Sequence, residues 1–366
     1  MVDLFRGKRR PRSSWDGWVA VKRVRLDTAD TAELLREIRI ATHAPLRRHK
    51  NVAGLIGFVA DMKDGVGAEE AGIAISLVIE LAAHGTLRDY LGKSQRNMKL
   101  DEMAGIIADV ADGLAALHEC GIVWGDVKLE NVLVYDSEQP GGITGTSDGQ
   151  SGGRRVVVRL SDFGHSIVVD RNGVCGRERY RGTTIFNAPE VRGRRRRNEY
   201  VDVREFYKCD VFSFGLLVYE IILGGRRYID VLKENNPVNL ALHDDAEEGI
   251  VDLLNTLAKD ALLQMAVREL EVSWGVSNED HDSDHQRSRG DHDHNGKQGQ
   301  STAVVDVVAR VLKGTMRDDP EARMQMEEVL ETLAEVRSDI DGPRCVFALF
   351  LEHCISVLIN WHAGTA

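Results

Sequence analysis

The chain has 366 residues, 43% hydrophobic and 29% charged, and its 47 basic against 58 acidic side chains leave a formal charge of −11. That length and mix exclude a fibrous or largely disordered protein and allow one large domain or two ordinary ones, with a sizeable core. The negative balance favours solubility and supplies no global attraction for nucleic acid.

In chain order, the N-terminal MVDLFRGKRRPRSS lacks the apolar stretch of a secretory signal. WVAVKRV at 18–24 is short and β-branched and predicts a strand. TAELLREIRIATHAPL at 31–46 spaces Leu34, Leu35, Ile38 and Ala41 as a helix, with Thr31 as its cap and Pro45 near its end. ISLVIEL at 75–81 predicts a second strand, and DEMAGIIADVADGLAALHECG at 101–121 a long amphipathic helix stopping at Gly121. VDVREFYKCDVFSFGLLVYEIILGG at 201–225 predicts a strongly apolar helix closed by two glycines.

Two stretches, 136–155 and 275–302, are too polar to offset the entropy of ordering and read as flexible insertions. The second carries His281, His285, His292 and His294 among aspartates, a mixture read as a solvated loop in preference to a metal site. CVFALFLEHCISVLINW at 345–361 has 17 residues and contains Glu352, His353 and Asn360. A spanning helix needs about 20 apolar residues, so a buried or partner-facing helix is expected there and membrane contact is not. The five cysteines, Cys120, Cys175, Cys209, Cys345 and Cys354, form no C-x-x-C pair. Neither a disulfide framework nor a zinc site follows, and a reducing compartment, cytoplasmic or nuclear, is expected.

Phosphoryl transfer asks a protein for positioning and charge neutralisation: a cation on the phosphates, oxygen ligands for Mg²⁺, and a carboxylate facing the incoming hydroxyl. The chain holds such groups in a particular order. Lys22 lies in VAVK on the first predicted strand, and Glu37 follows on the next helix. Asp126, Lys128 and Asn131 have D-x-K-x-x-N spacing within WGDVKLEN; Asp162-Phe163-Gly164 follows the apolar run VVVRL; Ala188-Pro189-Glu190 comes last.

Taken together, these motifs resemble those of eukaryotic protein kinases, over most of the chain from residue 2 to residue 335. The resemblance implies a two-lobed α+β fold: a truncated N-terminal β-sheet lobe over 1–82, a mainly α-helical lobe over 83–340, and an apolar helical segment over 341–366. It implies ATP and Mg²⁺ as cofactors, with Lys22 on the α/β-phosphates, Glu37 paired to it, Asp126 as catalytic base, Lys128 near the γ-phosphate, and Asn131 and Asp162 as metal ligands. Leu4, Ala20, the gatekeeper Ile79 and the hinge from Glu80 to Ala82 would surround the adenine. Asp210 would anchor the catalytic loop, Arg323 would pair with Glu190, and Thr183 would orient the loop. Lys128 and the run RGTTIFNAPE point to serine or threonine as acceptor in a protein substrate. Nine arginines within 171–197 suggest attraction for acidic sequence near the phosphosite, a reading weighed equally against a solvated basic loop or a nuclear-localisation run.

Two departures stand out. Gly125 occupies the position of the arginine that a phosphorylated activation loop would neutralise, which argues against that form of control. No G-x-G-x-x-G-x-V loop precedes Lys22; VDLFRG at 2–7 resembles the strand after that loop. Either residues upstream are lacking, or the protein is a weak kinase or a kinase-like scaffold. A small-molecule phosphotransferase of related fold is a third, less favoured reading.

Overall fold

The computed structural model describes residues 3–8, 18–24, 28–62, 73–94, 98–137, 156–169, 179–192, 205–235, 246–275 and 294–341. Four antiparallel strands build the small lobe: β1 (Asp3–Lys8), β2 (Trp18–Val24), β3 (Leu55–Met62) and β4 (Ile73–Glu80). Their order is β1-β2-β4-β3, so the strand carrying Lys22 is internal. In that register Lys22 lies opposite Leu4 on one side and Leu77 on the other, and Ala20 lies opposite Ile79.

Helix α1 (Thr28–Ala41) is joined to β2 through Glu37 and Lys22 and buries Leu34 and Ile40. It begins earlier than the apolar spacing suggested, so Thr31 lies within its first turn and is not its cap. The helix also ends before Pro45, and a separate 3-10 turn covers Leu46–Arg48.

Beyond it, residues 51–53 hook the small lobe into the large one. The Ala53 N–H donates to the Leu160 carbonyl at 2.8 Å, the Leu160 N–H to the Asn51 carbonyl at 2.9 Å, and Asn51 Nδ2 to the Val158 carbonyl at 2.8 Å. This close approach requires Gly113 beneath it, where a Cβ would stand 2.7 Å from the Asn51 oxygen and 2.9 Å from Leu160 Cγ.

The large lobe is mainly helical. Helix α2 (Leu87–Ser94) starts at a reciprocal cap: the Thr86 hydroxyl donates to Asp89 Oδ2 at 2.7 Å and accepts the Asp89 N–H at 3.2 Å. Helix α3 (Leu100–Glu119) is buried along most of its surface, carries acidic residues in its first turn, and gives way to Gly121 at φ +74°. Two short antiparallel pairs follow, β5 (Ile122–Val123) with β8 (Ile167–Val168), and β6 (Val132–Asp136) with β7 (Val156–Leu160).

After the one-turn α4 (Pro189–Arg192) comes α5 (Phe206–Ile222), the most buried helix of the core. Its buried polar residues all have partners. Ser213 bonds the Phe186 carbonyl at 2.8 Å, Glu220 pairs with Arg88, and Asp210 gathers the donors described below. Helices α6 (Tyr228–Asn235), α7 (Ala246–Thr256), α8 (Ala261–Trp274), α9 (His294–Thr315) and α10 (Met326–Asp341) complete the lobe, with α10 against α3 and α9.

The expected two-lobed α+β architecture is therefore present. Residues 294–302, read as part of a flexible insertion, instead form the start of α9; His281, His285 and His292 lie outside the described residues, as does 345–361. Among the described residues Cys209 is a buried thiol facing Glu190, and no helix is long and apolar enough to cross a membrane.

Candidate active site

Internal strand β2 projects Lys22 toward α1 and toward the loop after β7. Its ammonium donates to Glu37 Oε2 at 2.8 Å and Oε1 at 3.1 Å, and to Asp162 Oδ1 at 2.9 Å. Burial pulls the Lys22 pKa down, but the two carboxylates more than offset it, and the result lies above the ordinary lysine value. For Glu37 burial wins over Lys22, and its carboxyl is pushed up. Asp162, at φ +57°, keeps a side chain 45% exposed toward the space between the lobes.

The loop from Trp124 to Lys128 has no regular structure, yet its first two N–H groups are tied to one buried carboxylate. Asp210 on α5, with no exposed surface, accepts the Trp124 N–H at 2.7 Å and the Gly125 N–H at 3.0 Å. The same carboxylate meets His118 Nε2 at 3.1 Å and accepts the Tyr180 hydroxyl at 2.8 Å. Trp124 is wholly buried, and its indole N–H donates to the Ser161 carbonyl at 3.2 Å. Gly125 sits at φ +82°, and a Cβ there would stand 2.7 Å from the His165 carbonyl. A glycine meets both demands at this position.

Asp126 emerges from this loop into a dense set of donors. Lys128 Nζ is 2.6 Å from its Oδ2, Thr183 donates from its N–H and its hydroxyl to Oδ1 at 3.0 and 2.7 Å, and Asn131 Nδ2 donates to Oδ2 at 2.9 Å. Lys128 also donates to the Thr183 hydroxyl at 2.9 Å. Burial pushes the Asp126 carboxyl up, and Lys128 with Thr183 pulls it down further, so it titrates below its ordinary range.

Asn131 and Asp162 flank one end of the β6–β7 pair. Val132 lies opposite Leu160, and the N–H and hydroxyl of Ser161 both donate to the Asn131 carbonyl, at 2.9 and 2.8 Å. With its amide nitrogen committed to Asp126, Asn131 offers its side-chain oxygen, and Asp162 offers a carboxylate. Hard oxygen donors of this kind suit Mg²⁺, which keeps several waters and phosphate ligands and takes only one or two groups from protein. Among the described residues no group of three or more His, Cys, Asp or Glu side chains could hold a metal on its own.

At the far end of β4, Glu80 is engaged twice: its carboxylate by Arg159 at 2.6 Å and its carbonyl by the Tyr135 hydroxyl at 3.2 Å. Ala82 follows in the connection between the lobes, its carbonyl accepting the Gly85 N–H at 3.3 Å. The structure thus brings together Lys22, Glu37 and Asp162 in one cluster and Asp126, Lys128 and Asn131 in another. Ala20, Ile79, Glu80 and Ala82 follow along β2, β4 and the connection, and Leu4 joins at the level of backbone register.

One reading needs correction. Arg192 belongs to no solvated basic loop: it is 4% exposed, donates to the Asn187 carbonyl at 3.0 Å, and stands over the Phe212 ring. Residues 171–178 and 193–200, which hold other arginines of that run, lie outside the described residues. Arg323 does meet Glu190, at 2.6 and 2.9 Å. Sequence reasoning missed the contacts of His118, Tyr180, Arg36 and His165, since nothing in local spacing marks partners that only the tertiary fold supplies.

A small antiparallel sheet seated on a helical lobe, with a lysine–carboxylate cluster between them, defines a two-lobed kinase-like protein. The chain belongs to the protein kinase domain family, whose model matches residues 11–333. It is 31% identical over 210 residues to serine/threonine-protein kinase PkaB of Streptomyces coelicolor, covering 57% of this chain and 43% of that protein. It is 27% identical over 209 residues to serine/threonine-protein kinase STY46 of Arabidopsis thaliana, covering 57% and 29%. Similarity also extends to retinal guanylyl cyclase 1 of Bos taurus, 29% identical over 184 residues, covering 50% and 14%. The chain thus spans less than half the length of each of these curated relatives.

Proposed function

We propose that the chain is a protein serine/threonine kinase that transfers the γ-phosphate of ATP to a protein hydroxyl. The observation that carries this reading is the Lys22 ammonium held at 2.8 Å from Glu37 and 2.9 Å from Asp162, a cation aimed into the space between the lobes. In this reading Lys22 steadies the α/β-phosphates, and Ala20, Ile79 and the backbone from Glu80 to Ala82 border the adenine, with Leu4 opposite on β1. Asn131 and Asp162 would hold Mg²⁺, which supplies charge neutralisation on the phosphates when bound.

The acceptor oxygen forms a bond to the γ-phosphorus as the bond to the bridging oxygen breaks, ADP departs, and the hydroxyl proton passes to Asp126. A carboxylate held ionised by Lys128 and Thr183 is ready to accept that proton. Lys128, bonded to both Asp126 and Thr183, lies where it can also steady the phosphate in flight. Thr183 links the segment before Ala188-Pro189-Glu190 to the base, and Gly125 beside that base provides no arginine for an activation-loop phosphate to neutralise, which supports activity independent of such phosphorylation.

The test is transfer of phosphate from ATP and Mg²⁺ to a generic protein substrate by wild type and Asp162→Asn, alongside nucleotide binding to each. Transfer by wild type and loss in the variant is expected. Equal background signal from both, with no nucleotide bound, would overturn the enzyme reading in favour of a kinase-like scaffold.

A further inference from the structure

One face of α1 meets the loop after β7 at three successive points. Glu37 reaches Asp162 through Lys22, Arg36 Nη1 donates to the Gly164 carbonyl at 2.6 Å, and Glu33 Oε1 lies 3.8 Å from His165 Nε2. The other ring nitrogen, Nδ1, lies 3.8 Å from Asp126 Oδ2. A single imidazole thus stands between a carboxylate of the small lobe and the carboxylate that receives the proton. Its side chain is 38% exposed, that of Glu33 34%, and that of Asp126 4%.

We propose that His165 is a positioning residue that couples the placement of α1 to that of Asp126, an inference that rests on the phosphotransferase reading above. Each ring nitrogen faces one carboxylate at 3.8 Å, beyond hydrogen-bond distance, so the ring acts by filling the space between Glu33 and Asp126 with a polar edge toward each. The remaining charges facing Asp126 come from its own loop, in Lys128, while Arg36 is engaged with the Gly164 carbonyl. His165 thus faces both α1 and the base. Glu37 holds Lys22 and Glu33 faces the imidazole from the same helix, so a single placement of α1 serves both clusters.

The experiment compares wild type, His165→Gln, His165→Lys, Glu33→Gln and the Glu33→Gln/His165→Gln double variant for kcat and for the KM of ATP, with thermal melting of each. His165→Gln is expected to lower kcat about tenfold while moving the KM of ATP by less than about twofold, since the base and not the nucleotide is displaced. His165→Lys, which places a donor between the two carboxylates, restores most of the rate. Glu33→Gln gives a fall similar to His165→Gln, and the double variant falls no further than either alone. Unchanged kcat in a folded His165→Gln protein, or losses that multiply in the double variant, would overturn the role of His165 while leaving the kinase reading intact. A wild type that binds no nucleotide and transfers no phosphate would instead overturn the kinase reading, and the role of His165 with it.

Discussion

Thr183 donates both its backbone N–H and its hydroxyl to a single carboxylate oxygen of Asp126, at 3.0 and 2.7 Å, while Lys128 holds the other oxygen at 2.6 Å. Burial pushes this carboxyl up, but these partners leave its pKa below the ordinary 3.8. A carboxyl depressed on folding contributes stability that is present above its unfolded pKa and lost as pH falls through the folded one. The melting temperature of wild type relative to Asp126→Asn is therefore expected to be highest near neutrality and to shrink below about pH 4. A difference that stays constant from pH 7 to pH 3 would contradict this account.

Lys22 neutralises two carboxylates, one of them 14% exposed. Lys22→Met leaves Glu37 without its cation and is expected to cost about 2 kcal/mol, less than for a fully buried pair because all three groups keep some contact with water. Adding Glu37→Gln removes the stranded charge and should recover part of that loss. Urea unfolding of the two variants decides the matter; a double variant no more stable than Lys22→Met would show that the pairing has been misjudged.

Gly125→Ala places a Cβ 2.7 Å from the backbone oxygen of His165 at a φ of +82°. The Gly125 backbone cannot yield without disturbing its contact with Asp210, so a loss of about 3 kcal/mol is expected. Gly85 provides the comparison: its φ is +78°, but a Cβ would approach nothing nearer than 3.4 Å, at the flexible Asp89 carboxylate. Gly85→Ala should cost only about 1 kcal/mol, the conformational term alone. Equal losses measured by denaturant titration would rule out the steric part of the argument.

Glu220, with no exposed side-chain surface, is pushed up by burial to about 7, although Arg88 and the Tyr228 N–H pull it back. A carboxyl raised on folding contributes stability that is complete below its unfolded pKa and is lost as pH rises through the folded one. Wild type should therefore lose stability relative to Glu220→Gln as pH rises from 4.5 through about 7. Thermal melts of both proteins at pH 5 and pH 8 give the measurement, and a wild type that gains on Glu220→Gln over that interval would reverse the sign.

Short-range pattern was enough for much of the fold. The β-branched run at 18–24 forms β2 with those same ends, and the apolar spacing of 101–121 is α3 within two residues, because both elements bury what their periodicity marks. The start of α1 is not marked in the sequence because Thr28, Ala29 and Asp30 carry no apolar periodicity, which makes Thr31 read as a cap. Arg192 is concealed in the sequence because a run of like charges does not mark the member that α4 turns into the core. The ordered motifs identified which side chains meet at the cleft. They could not reveal Glu33 and His165, which belong to separate lobes and become neighbours only when α1 docks.

Asp210 draws its four donors from α3, from the loop at Trp124 and Gly125, and from Tyr180, so three separate stretches of chain converge on one carboxylate of α5. Amide hydrogens bonded to a buried side chain exchange with solvent only when that side chain is released. The Trp124 and Gly125 amides should accordingly exchange with deuterium on the schedule of α5 and not on that of surface turns. In kinetic terms the segment that leads into the base opens only when its supporting helix does.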